Sequence, residues 1–109
     1  MNIQSSYTDD RLTLYFSGEL DHHAARGAMQ RIETLIDELL PTACILDFGG
    51  LSFMDSSGLA VVLKAHKRME ELGRKAWVEH PPKQILRVLQ AGGVGRVVEI
   101  RSGIKEEVR

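Results

Sequence analysis

The chain predicts a mixed α/β domain: a single, mainly parallel sheet of four to five strands after an N-terminal hairpin, with helices packed against it. Three observations carry this. Short apolar runs alternate with longer segments whose apolar residues recur three and four apart, in the order β-β-α-β-α-β-α-β. Only the first two strands are joined by a tight turn, so the later ones connect through crossovers and run parallel. Finally, 109 residues with 43% apolar and 27% charged content suit one globular domain with its own core.

Asn2 to Tyr7 and Arg11 to Ser17 are the opening strands, and Thr8-Asp9-Asp10 between them is a turn signal. In the second, Leu12, Leu14 and Phe16 alternate with Arg11, Thr13, Tyr15 and Ser17, giving one buried face. Gly18-Glu19-Leu20-Asp21 leaves this strand, and Asp21 is a candidate N-cap for a helix over His22 to Leu40. Its apolar stripe is Ala25, Ala28, Met29, Ile32, Leu35, Ile36 and Leu39, and Pro41 ends it. Ala43 to Phe48 is nearly continuous in apolar residues, as a central strand covered on both faces should be.

Gly49 to Met54 then leads into Asp55-Ser56-Ser57-Gly58, a turn between that strand and a helix over Ser57 to Leu72. Leu59, Val62, Leu63, His66 and Met69 are placed on the inner side of this helix, and Gly73 at its C-cap. Lys75 to Glu79 is a fourth strand. Pro82 opens a third helix, Lys83 to Gln90, that turns Ile85, Leu86 and Leu89 inward. Ala91 to Gly95 breaks it, and Arg96 to Ile100 is a last short strand. Residues 101–109 read as a loosely ordered tail, so that 1–109 form one domain.

A formal net charge of −1 gives no basic excess for nucleic acid or an anionic membrane. No run reaches membrane-spanning length, and Met1 to Ser5 lacks the pattern of a secretory signal, so a cytoplasmic location is expected. The single cysteine, Cys44, lies in an apolar run and reads as a core residue.

Enzyme chemistry finds little support. Met54-Asp55-Ser56-Ser57-Gly58 lacks the leading glycine of a hydrolase nucleophile elbow, and His66 reads as a structural histidine. No Gly-Lys-Ser or Gly-Lys-Thr follows the glycines, which removes the triphosphate-binding motif. His22 and His23 are helix neighbours facing about a hundred degrees apart, so they do not converge on a metal. No cofactor is implied.

The serine turn stands out instead. A serine at a helix start is either a cap for the first N–H groups or a group that another molecule reads or modifies. The same N–H groups and the helix dipole accommodate a phosphate there. Leu59, Ala60 and Val61 beside it read as an exposed small apolar patch, suited to docking.

Two stretches, Gly18-Glu19-Leu20-Asp21-His22-His23 and Leu51-Ser52-Phe53-Met54-Asp55-Ser56-Ser57-Gly58-Leu59, resemble the signatures of bacterial anti-sigma factor antagonists, or anti-anti-sigma factors. These are STAS-domain proteins, and the likeness is to their sporulation type. The resemblance implies a STAS fold and a partner-switching regulator, not an enzyme. The unphosphorylated form would bind an anti-sigma factor that is also a serine kinase using ATP, and so free the sigma factor, which is touched only indirectly. Phosphorylation would fall on Ser57 and switch binding off, and a PP2C-type serine phosphatase would restore it. Asp21, Asp55, Ser56, Ser57, Gly58, Leu59 and Val61 would meet the partner, with Ser56 as the neighbouring cap or contact. Ala60 stands where a glycine is common. Two other readings are a STAS component of a stress pathway and a small-ligand or nucleotide-binding module.

Overall fold

The computed structural model describes residues 1–102. Five strands, β1 (Asn2–Thr8), β2 (Arg11–Leu20), β3 (Ala43–Met54), β4 (Lys75–Glu79) and β5 (Glu99–Arg101), form one sheet in the order β1-β2-β3-β4-β5. β1 and β2 are antiparallel, and every other pairing is parallel. The helices α1 (His22–Leu39), α2 (Ser57–Glu71) and α3 (Lys83–Ala91) are the crossovers. Strands laid down in sequence order by right-handed crossovers leave all three helices on one face. The predicted mixed α/β architecture is therefore the observed one.

The core lies between that face and the helices. Leu12, Leu14 and Phe16 of β2 and Cys44, Leu46 and Phe48 of β3 alternate inward to meet Ala25, Ala28, Ile32 and Ile36 of α1 and Val62, Ala65 and Met69 of α2. Phe16 and Phe48 meet edge to face with ring centroids 5.0 Å apart. α1 and α2 are further tied by Arg68, whose Nε donates to Asp37 Oδ1 at 2.7 Å, while its Nη1 donates within α2 to Glu71 Oε1 at 2.8 Å.

Several boundaries differ from expectation. β2 continues through Gly18-Glu19-Leu20, and β3 through Gly49 to Met54, because the two strands stay paired to Leu20 and Met54. That pairing survives two register shifts. The expected strand from Arg96 to Ile100 begins instead with a 3₁₀ turn, Val94–Arg96. The Val94 carbonyl accepts from the N–H groups of Val97 and Val98, and Val94 and Val98 are both buried at this turn. β5 is then Glu99–Arg101, so Arg101 belongs to the sheet; of the expected tail, residues 103–109 lie outside the described residues.

The second face of β3 is buried as expected, but by a side chain. Among the described residues, Ala43 and Ile45 pack with Trp77 of β4 in a small separate cluster. The Arg101 guanidinium lies over the Trp77 ring at 4.0 Å and that of Arg11 at 5.5 Å.

Gly73 ends α2 as predicted. Its φ of +72° lets its N–H reach the Glu70 carbonyl and the Arg74 N–H reach that of Met69, the paired closure of a Schellman motif.

Candidate functional site

The pairing of Leu20 with Met54 sets the ends of β2 and β3 side by side, so Asp21 and Asp55, the next residues, are neighbours at one rim of the sheet. Each starts a helix. The Asp21 Oδ1 accepts from the Ala24 N–H at 3.0 Å and caps α1, as its position before the apolar stripe predicts. The Asp55 Oδ1 accepts from the Ser57 N–H at 2.8 Å, while the Asp55 carbonyl accepts from the Gly58 N–H at 3.0 Å.

The cap of α2 is therefore Asp55, and the capping role expected of Ser56 is not observed. Ser56 already has helical backbone angles (φ −62°, ψ −18°), and its side chain makes no capping bond. A residue already wound into the helix cannot aim its short hydroxyl back at the next N–H groups, whereas Asp55, the residue before it, lies outside the helix and can. Ser56 is exposed and Ser57 half-buried. Among the described residues, no group hydrogen-bonds the Ser57 hydroxyl.

Gly58 and Val61, both expected at the surface, are buried, Val61 fully at 0% exposure. The buried stripe of α2 is Gly58, Val61, Val62, Ala65 and Met69, while Leu63 stands 40% exposed and His66 is half-buried, with Nε2 3.9 Å from Glu70 Oε2. Helix periodicity alone admits both stripes, since each has three- and four-residue spacing. Close packing chose the one with small residues. There is no room for a Cβ between Gly58 and the Met54 side chain, so the first turn of α2 sits directly on the end of β3. Leu59 is half-buried against Gly92, just after α3.

The exposed apolar surface at this rim is thus Phe53, at 46%, with Ala60, Leu63 and part of Leu59. Phe53 escapes pattern reading because of a bulge: Gly18 pairs with Leu51 but Glu19 with Phe53, and the extra Ser52 flips the alternation. The Ser52 hydroxyl donates to the Gly18 carbonyl at 3.2 Å, and the Gln84 Nε2 donates to the Ser52 carbonyl at 2.6 Å, which ties α3 to the bulge.

His22 and His23, read as diverging, in fact lie with ring centroids 4.1 Å apart, but with Asp21 they do not form a three-donor group. Such a group occurs elsewhere, at Asp47, Glu79 and His80. No helix among the described residues is long and apolar enough to cross a membrane. What the rim offers is a hydroxyl without a hydrogen-bond partner among the described residues, at a helix start, with the Asp21 and Asp55 carboxylates and exposed Phe53 and Ala60 at the same rim.

The STAS domain family model matches residues 2–107. An anti-sigma F factor antagonist of Lysinibacillus sphaericus is 33% identical over 88 residues, covering 81% of this chain and 75% of that protein. The solved structure of the anti-sigma factor antagonist SpoIIAA in its unphosphorylated form superposes with a TM-score of 0.80 at 29% identity, covering 96% of this chain and 95% of the other. The Bacillus cell fate determinant SpoIIAA in its phosphorylated form gives 0.71 at 30% identity, covering 99% and 100%.

Proposed function

The chain belongs to the STAS domain family, and on that premise we propose that it is an anti-sigma factor antagonist switched by phosphorylation of Ser57. Its similarity to anti-sigma F factor antagonists supports the first part. The second rests on one observation: the Ser57 hydroxyl has no hydrogen-bond partner among the described residues, at the first turn of a helix beside exposed Phe53 and Ala60. The relative SpoIIAA is itself known in unphosphorylated and phosphorylated forms.

In this reading the chain is a cytoplasmic regulator, not a catalyst. Its unphosphorylated rim packs against an anti-sigma factor serine kinase carrying ATP, and the sigma factor is released to direct transcription, in sporulation. Asp21, Asp55, Ser56, Ser57 and Leu59 meet the partner, joined by Phe53 and Leu63. Phosphorylation brings about −1.5 to −2 charges to a surface that already holds two carboxylates. Burying that charge unmatched against the kinase costs several kcal/mol, which weakens binding by a few powers of ten. The helix itself tolerates the anion, so the fold persists. A PP2C-type phosphatase resets the switch.

Incubation with a cognate anti-sigma kinase and ATP, followed by mass spectrometry, should show one phosphate on the wild type and none on Ser57→Ala. Incorporation into Ser57→Ala at the wild-type level overturns the assignment. Ser57→Asp should lose kinase binding while keeping its circular dichroism spectrum.

A further inference from the structure

We infer that Asp47, Glu79 and His80 form a binding site for a divalent transition-metal ion of the Zn²⁺ class, on the sheet face opposite the helices. Asp47 and Glu79 are register partners in β3 and β4, on the same face as Ile45 and Trp77. Like charges directly opposite one another destabilise a sheet, so this pair favours a cation, and Arg101, the register partner of Glu79 on β5, approaches it only to 3.8 Å. His80 follows Glu79 with φ +58°, and its N–H donates to the Arg101 carbonyl at 3.0 Å. That turn carries its imidazole back over β3, where Nδ1 lies 3.0 Å from Asp47 Oδ2.

One ligand atom from each residue falls within 4.8 Å of the others. Tetrahedral metal bonds of about 2.0–2.2 Å place neighbouring donors about 3.3–3.6 Å apart, so the His80–Asp47 pair, now at hydrogen-bond distance, needs to open by only a few tenths of an ångström. Glu79, half-buried, already brings a carboxylate oxygen within 4.8 Å of both other donors.

The donors are also oriented from outside the set. The Gly49 N–H holds Asp47 Oδ1 at 2.9 Å, and the Trp77 Nε1–H holds Glu79 Oε2 at 2.8 Å. One imidazole and two carboxylates suit zinc-class ions, whereas Mg²⁺ prefers oxygen donors in a strict octahedron. The competing charge is Arg101, whose Nη1 is 3.8 Å from Glu79 Oε2. Arg101 is bound more closely to Glu99, at 2.7 Å, and stacked on Trp77, so it can yield Glu79 to a metal.

The test is calorimetric titration of the full chain with ZnCl₂ alone, beside MgCl₂. One equivalent of Zn²⁺ should bind, and Mg²⁺ should give no measurable heat. His80→Asn, chosen because asparagine tolerates the left-handed backbone, should weaken zinc binding about tenfold or more. Arg101→Gln should tighten it. The double variant His22→Ala/His23→Ala should bind as the wild type does. Absent zinc binding, unchanged affinity in His80→Asn, or loss of affinity in the double variant each overturns the site. Should His80→Asn fail to fold, the wild type still decides: zinc must shift the His80 ring resonances in NMR spectra ahead of those of His22, His23 and His66, and the reverse order refutes the assignment.

Discussion

Asp55 and Ser56 are adjacent polar residues with unequal contributions to stability. Only Asp55 holds a helix-start N–H, so Asp55→Ala should cost about 1 kcal/mol, while Ser56→Ala should stay within about 0.5 kcal/mol of the parent. Urea denaturation of the two variants checks this, and equal losses would restore the serine cap. Cys44 makes a second residue-scale case. Burial pushes its thiol up to about 12 from the ordinary 9.0, so the native protein should resist thiol-alkylating reagents at pH 8 and react on unfolding. The unfolded thiol ionises near pH 9 but the buried one does not. Its contribution is therefore complete below pH 9 and declines as pH climbs toward 12. Stability should fall more steeply above pH 9 in the wild type than in Cys44→Ala, and equal slopes would exclude the contribution. Cys44 was legible as a core residue from its apolar run alone; which of three polar residues caps α2 was not, because the choice turns on backbone angles at one position.

At the scale of elements, α2 shows how packing overrides size. Leucine-rich positions look like the inner stripe, yet the helix turns Gly58, Val61 and Ala65 to the core and leaves Leu63 exposed. Gly58→Ala should therefore destabilise by about 1–3 kcal/mol, since the new methyl meets Met54 at the end of β3. Leu63→Ser should change stability by no more than about 0.5 kcal/mol. Thermal melts of the pair test the orientation of the helix, and a reversed ranking would mean that α2 is rotated. α1 and β4 offered no such ambiguity. The stripe of α1 is unbroken from Ala25 to Leu39 and its Asp21 cap stands just before it, while a five-residue strand between Gly73 and Pro81 has no room to be anything else.

For the whole molecule, one sheet carries α1, α2 and α3 on one face, and the only tryptophan lies on the other. Trp77 fluorescence reports the sheet and far-ultraviolet dichroism the helices, so both should unfold in one coincident transition. Separate midpoints would mean that the layers are not one cooperative unit. The sequence by itself determined the class of fold, the order of its elements, the Asp21 cap and the place of the serine turn. Those features depend on local periodicity and turn chemistry, which neighbouring residues along the chain supply. Only the tertiary structure decided that Val61 and Gly58 go inward, that a bulge at Ser52 turns Phe53 out, and that Asp55 serves the Ser57 N–H. It alone also placed Asp47 and Glu79 side by side, 32 positions apart in number yet in register on adjacent strands. Each of these depends on which of several permitted faces or registers fills space without voids, and that is settled between elements distant in sequence, not within any one of them.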